Sequence, residues 1–165
     1  MSQDQLEGAV VRVRPARRDD WPAVRALLRE ADDLHAKLAP DYFRSAPRGD
    51  DEWQHLLEEG NGAVLVAAPS DGAGPVAVLV ARLYDTPDNP MMVQRRRLHI
   101  ETVVVACEHR RRGIGRRLMA EAAAWGRRLG AVEVVLTTWV GNDGAEAFYA
   151  RLGYRVLSRV LYAPL

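Results

Sequence analysis

Val105-Ala106-Cys107-Glu108-His109-Arg110-Arg111-Arg112-Gly113-Ile114-Gly115-Arg116-Arg117-Leu118 is the stretch on which the reading of this 165-residue chain turns. The β-rich run Leu98 to Val105 ends here and a turn with two glycines follows. Apolar residues then recur at helical spacing through Ile114, Leu118, Ala122, Trp125 and Leu129. A strand, a glycine turn and a helix in that order leave the first amide hydrogens of the helix unpaired, which is how chains build a cradle for phosphate. Gly113 and Gly115 would let the backbone come close to a ligand. Five arginines between positions 110 and 117 put positive charge where the helix dipole already favours an anion.

Working outward, Val10 to Arg14 alternates as a strand, and Asp19 or Asp20 suits the cap of a helix carrying Trp21, Val24, Leu27 and Leu28. A second helical stretch is expected over Asp33 to Leu38 and a short helix over Trp53 to Glu59. Ala63 to Ala67 and Val76 to Leu83 read as a hairpin around a Ser/Asp/Gly/Pro loop. Past the glycine turn, Gly130 marks the end of a helix, Val132 to Thr138 a strand, Gly144 to Leu152 a helix closed by Gly153, and Tyr154 to Tyr162 a terminal strand. Strands that pair locally and then alternate with helices predict the α/β (α+β) class: one domain over residues 1–165, with a mixed, mostly antiparallel sheet of six to seven strands flanked by helices.

A nucleoside-triphosphate loop would need a lysine and a hydroxyl residue after the second glycine, and neither is there. A dinucleotide site needs a third glycine where Leu118 stands. Arg110-x-x-Gly113-x-Gly115 instead resembles the R/Q-x-x-G-x-G/A signature of the GNAT superfamily of N-acetyltransferases. Trp139 to Tyr154, with Asn142, Ala145, the pair Phe148-Tyr149 and the ending Leu152-Gly153-Tyr154, is similar to that family's second signature. The two stand in the right order, one helix and one strand apart. The match is good over Ile100 to Tyr154 and holds only in outline before Val80. Cys107 stands where many members carry proline.

The resemblance implies acetyl-CoA as donor and a primary amine as acceptor, joined in one ternary complex. It places the cofactor on Val103, Val104 and Val105, on Arg110, Arg111, Arg112, Gly113, Ile114, Gly115 and Arg116, and on Asn142, Ala145 and Phe148. Asparagine at 142 also suits a helix cap. An alkyl amine with a pKa near ~10.4 must lose a proton before it attacks the thioester, and a carboxylate acting through water can take it. Glu101 is the candidate base, expected from strand alternation to share a face with His99 and Val103 among apolar neighbours; a pairing with Arg97 is the alternative. Tyr149 matches the family position whose hydroxyl lies near the sulfur and is the candidate acid. A main-chain amide at Val104 or Val105 would meet the thioester oxygen. A non-catalytic acyl-CoA-binding module of the same fold is the competing reading.

Composition narrows the rest. Twenty-three basic against twenty-two acidic residues give a formal charge of +1, so general attraction to nucleic acid or anionic membrane has no electrostatic basis. No aromatics interleave with the arginine run, which disfavours base stacking. A single cysteine, Cys107, excludes an intramolecular disulfide; it and His109 fall at the expected pyrophosphate mouth, away from the thioester, so Cys107 is not read as a nucleophile. His35, His55, His99 and His109 share no metal-site spacing, and no metal is expected. With no secretory pattern at the start and no long apolar run, a soluble, cytoplasmic setting is expected. The acceptor, a small molecule or peptide carrying an amine, is expected at Asp32 to Phe43 and Tyr84 to Arg97, with Asp32, Asp33 and Asp41 to attract a cation, Tyr42 and Tyr84 as walls, and Arg95, Arg96 and Arg97 leaving room for an acidic substrate. The apolar terminal run and the arm from Asp85 to Arg97 suit a homodimer interface.

Overall fold

The computed structural model describes residues 10–58 and 60–165. One sheet runs β1 (Val11–Pro15), β2 (Gly62–Pro69), β3 (Ala77–Asp85), β4 (Arg96–Val105) and β5 (Glu133–Leu136), in that spatial order. The first four strands are antiparallel neighbours, and β5 joins β4 in parallel. Helices α1 (Trp21–Leu38) and α2 (Asp50–Glu58) connect β1 to β2, α3 (Ile114–Arg128) connects β4 to β5, and α4 (Asp143–Arg151) follows β5.

Both faces of the sheet are covered, so β2 and β3 read as continuous apolar runs and not as alternating ones. On one face Ile114, Leu118, Met119 and Ala122 of α3 pack against Leu65, Ala67, Leu79, Leu98 and Ile100. On the other, Trp21, Val24, Leu27 and Leu28 of α1 and Trp53 of α2 pack against Val64, Val66, Val78, Val80 and Val104. The Trp21 and Trp53 rings stack at 5.3 Å, and each indole N–H donates, to Asp50 Oδ1 and to the Arg18 carbonyl respectively.

Asp20 opens α1, but its side chain makes no cap hydrogen bond. It accepts two bonds from the Arg14 guanidinium, at 2.7 and 2.8 Å, and one from the Arg17 amide, tying the end of β1 to the helix. The two helical stretches expected before position 39 are one helix, because no glycine or proline interrupts Ala23 to Leu38.

The sheet has five strands among the described residues, not six to seven. Tyr154 to Tyr162, expected as a strand, has no regular structure, and nearly all of it is exposed. A strand exists only through a ladder partner, and this segment meets none among the described residues.

One irregularity governs the site. Val80 pairs with Thr102 and Ala81 with Ile100, so Glu101 is an extra residue on β4, a β-bulge. Leu98 and Ile100 before it, and Val103 and Val105 after it, all turn toward α3, while Val104 turns toward α1.

Candidate active site

Among the described residues, β4 is paired on one side only beyond the bulge. β5 accompanies it from Arg97 to Ile100 and stops at Leu136, whereas β3 follows it to Val105. The edge from Glu101 to Val105 therefore keeps main-chain donors and acceptors free of a ladder partner, facing the gap that β5 leaves. This open edge runs straight into the glycine turn.

The turn is shaped by two left-handed residues, Arg111 (φ 65°) and Gly113 (φ 78°), the latter capping α3. The first intrahelical bond runs from the Arg117 amide to the Gly113 carbonyl, so the amides of Ile114, Gly115 and Arg116 lie in the first turn without helical acceptors. Gly115 serves packing as well: a Cβ there would sit 3.2 Å from the Phe148 ring and 3.7 Å from Val105. The five arginines divide. Arg110 donates to the Val105 carbonyl at 2.9 Å and pairs with Glu30 of α1, and Arg117 donates to the Val11 carbonyl. Both brace the fold. Arg111, Arg112 and Arg116 are not among the side chains bonded to described residues, and they surround the helix start. Cys107 is exposed; His109 is buried, with Glu108 Oε1 at 3.5 Å.

Glu101 has surroundings other than those expected. The bulge turns it away from Val103 and toward the face of Arg82, whose Nε lies 2.7 Å from Glu101 Oε1. The Tyr84 hydroxyl donates to the same oxygen at 3.3 Å and stacks edge-on with His99. The carboxylate thus sits in a polar cluster and not among apolar neighbours. Arg97, the alternative partner, instead meets Glu133 at 2.6 Å. A cavity of about 380 Å³ opens beside Glu101, lined by Leu28, Arg48, Glu52, His55, Leu56, Val80, Arg82 and Thr102. Of these, Arg48, Glu52, His55 and Arg82 were missed by sequence reasoning. Arg48 precedes α2 in a loop with no motif, and nothing in the spacing of Arg82 announces that it faces Glu101.

Of the expected acceptor carboxylates, Asp32 is differently employed. Asp32 accepts two bonds from Arg48, at 2.7 and 2.8 Å, and Glu52 pairs with the same guanidinium. Arg95 and Arg97 pair with Glu133, and Arg96 binds Asp85 through two bonds, so the room foreseen there for an acidic substrate is filled by the chain's own carboxylates. Tyr42 and Phe43 pack on Trp139.

Tyr149 lies between Phe148 and Tyr154, with ring centroids at 5.1 and 5.7 Å. Burial, with a smaller contribution from Tyr154, pushes its phenol up to about 12. Asn142 caps α4, its Oδ1 accepting from the Ala145 amide at 3.2 Å. Among the described residues no three His, Cys, Asp or Glu side chains gather as a metal site, and no helix is long and apolar enough to cross a membrane.

A strand opened on one side, a glycine turn and an arginine-flanked helix start thus follow one another along a single edge of the fold. Residues 21–154 match the model of the Acetyltransferase (GNAT) family, and the chain belongs to that family. It is 43% identical over 93 residues to N-alpha-acetyltransferase 80 of Mus musculus, covering 56% of this chain and 27% of that protein. It is 30% identical over 93 residues to N-acetyltransferase family 8 member 3 of Rattus norvegicus, covering 56% and 40%. The match therefore spans less than half the length of these curated relatives. Among solved structures, a mutant of the BH1408 protein from Bacillus halodurans superposes with a TM-score of 0.88 at 29% identity, over 93% of this chain and 99% of that one. The aminoglycoside N-acetyltransferase AAC(6')-Iy in complex with CoA superposes with a TM-score of 0.71 at 18% identity, over 96% of each chain, a likeness of fold.

Proposed function

We propose that this chain, as a single N-acetyltransferase domain over residues 1–165, transfers an acetyl group from acetyl-CoA to a primary amine by direct attack in a ternary complex. The observation that carries this reading is the unpaired edge of β4, which leads from Glu101 into the glycine turn in a chain of the GNAT family.

The pantetheine arm lies along Val103 to Val105 as an additional strand would, between β4 and α4, with Asn142, Ala145 and Phe148 on the far wall. The pyrophosphate rests on the amides of Gly113 to Arg116, with Arg111, Arg112 and Arg116 supplying charge and Arg110 holding the turn in shape. The amine enters through the cavity beside Arg82 and Glu101. Glu101 accepts from Arg82 and Tyr84 on one oxygen, which leaves lone pairs for a water that takes the ammonium proton. The neutral amine attacks the thioester carbon, and an amide of Val104 or Val105 meets the charge growing on oxygen.

As the tetrahedral species collapses, the C–S bond breaks and Tyr149 donates to the departing sulfur. With the phenol at about 12 and an ordinary thiol near ~8.5, complete transfer is uphill by roughly 5 kcal/mol. Tyr149 therefore acts as a hydrogen-bond donor to the developing thiolate, and solvent completes the protonation. A cytoplasmic setting and a homodimer belong to the same reading.

The test is release of free CoA thiol from acetyl-CoA over a broad panel of amines, alongside thermal stabilisation by CoA. Amine-dependent release supports the reading. Stabilisation without release to any amine identifies a non-catalytic acyl-CoA-binding module, and the absence of both stabilisation and release removes the cofactor assignment as well.

A further inference from the structure

The acceptor side of the site is nearly balanced in charge and rich in aromatic surface. Around the cavity beside Glu101, Arg48 meets Asp32 and Glu52, and Arg82 meets Glu101. Among the described residues, two guanidiniums against three carboxylates leave one formal negative charge there. A cavity so built attracts one ammonium and holds no charge in reserve for a second. Farther back along β4 the balance reverses, because Arg95 and Arg97 share the carboxylate of Glu133. A second cation extending that way from Glu101 would be repelled, and an anion would have to displace Glu133 from a contact of 2.6 Å.

Rings lie on the same side of the sheet. Tyr84 stands four residues beyond Val80 on β3, and Val80 faces α1. The Tyr84 hydroxyl reaches Glu101 and its ring meets His99 edge-on. His99 is paired with Val135 of β5, whose neighbours Val134 and Leu136 turn the other way, toward α3, so Tyr84, His99 and Val135 form a row across three strands. Beyond that row, β5 ends at Leu136, level with Ile100, and Trp139 is at most about 11 Å further along the chain. Tyr42 and Phe43 meet the Trp139 ring at 5.1 and 4.9 Å, and Phe43 stacks on His35. Leu28, Asp32 and His35 share one stripe of α1: the first lines the cavity, the second holds Arg48 and the third carries this second group of rings. Tyr42 and Tyr84 each keep about half of their surface exposed.

We infer that the acceptor is a monoamine carrying an aromatic ring, its ammonium at Glu101 and its ring between the floor of Tyr84 and His99 and the wall of Trp139 and Tyr42. The inference rests on the acetyl-transfer reading for the place of the amine, and it names the acceptor class which that reading leaves open. A ring held there gains offset and edge-to-face contacts, and the ammonium gains from the aromatic faces it passes. A cavity of about 380 Å³ has the size of a small-molecule pocket. Trp139 and Tyr42 are then specificity-determining residues, acting on the body of the acceptor and not on the groups that react.

The test compares amines by release of CoA thiol: 2-phenylethylamine, n-butylamine without the ring, phenylalanine with a carboxylate added, and spermidine with further cations. The expected kcat/KM for 2-phenylethylamine is about tenfold or more above each of the others. In Trp139→Leu its preference over n-butylamine is expected to fall about fivefold, chiefly through KM. An equal or greater kcat/KM for any of the other three overturns the inference, as does a preference that survives Trp139→Leu undiminished. Calorimetric titration of the wild-type protein with 2-phenylethylamine and with spermidine, CoA being present, separates this from a failure of the catalytic reading and decides the matter should the variant not fold. Tighter binding of 2-phenylethylamine without thiol release to any amine supports the ligand class and removes the transfer. No binding of 2-phenylethylamine, or tighter binding of spermidine, overturns the inference whatever the turnover.

Discussion

The guanidinium of Arg82 lies 2.7 Å from the carboxylate of Glu101, one residue on the inner strand β3 and the other in the bulge of β4 that faces it. The pair sits at the wall of the cavity beside the open β4 edge, so it fixes where the proposed base points without closing it off. Replacing Glu101 by Gln keeps the shape and removes the proton acceptor. The expected outcome is a fall in kcat of about 10²-fold or more, with CoA-induced thermal stabilisation unchanged. An unchanged kcat would remove Glu101 from the proton path.

Tyr149 makes a second prediction, in alkali. Its phenol is raised from about 10 to about 12 by burial, so the folded state holds the proton more tightly than the unfolded chain. The stability this contributes is fully present below pH 10 and is lost as the pH rises through 12, by about 3 kcal/mol at most. Denaturant melts at pH 8 and 11 should show this fall in the wild type and a smaller one in Tyr149→Phe. The same variant should lose about one to two orders of magnitude in kcat while still binding acetyl-CoA.

Gly126 tests packing between α3 and the sheet. A Cβ there would lie 3.0 Å from Leu98 Cδ2 and 3.1 Å from Leu98 Cβ, and Leu98 is fully buried. Alanine adds about 1 kcal/mol of helix propensity, but overpacking a tight core costs typically 1–3 kcal/mol, and the leucine has no solvent to retreat into. Gly126→Ala is therefore expected to lower Tm in spite of the better helix former. An increase would mean that α3 can move off the sheet without penalty.

Asp20 makes the complementary prediction in acid. The hydrogen bonds from Arg14, with help from the Arg17 amide, hold its carboxyl below the usual range despite partial burial. Its stabilisation is present above an unfolded value of about 3.9 and is lost as the pH falls through the lower folded one. Asp20→Asn should cost about 1–3 kcal/mol at pH 7, and the difference between variant and wild type should shrink below pH 4. A constant difference down to pH 2 would show that shape, not charge, holds this corner.

Elements with local signatures were legible in the sequence. The turn at Gly113, the helix from Ile114 and the cap at Asn142 follow from residues near one another in the chain, and they stand where spacing places them. What sequence could not show depends on pairing between distant segments. Alternation along β4 holds on each side of Glu101 but changes phase there, and the cause is the registration of Val80 and Ala81 some twenty residues away. Arg48 and Arg82 join the site for the same reason. The arginine run has one composition and two occupations, because Glu30 and the Val11 carbonyl lie far from the glycine turn in sequence. The terminal run has the composition of a strand, but composition names no partner for it.

The bulge gives the strand a counting rule. Leu98, Ile100, Val103 and Val105 reach the same layer because the bulge takes up the one residue too many that stands between the second and the third. Delete that residue and the ladder becomes regular: these four keep their side and their partners on β3, while the kink and the carboxylate it aims at the cavity are lost together. The proposed proton acceptor is thus a residue that the core does not count. Substitutions at 101 address chemistry alone, and a one-residue deletion there is expected to leave a folded chain without its site, whereas a deletion between Leu98 and Ile100 would put the two on opposite faces.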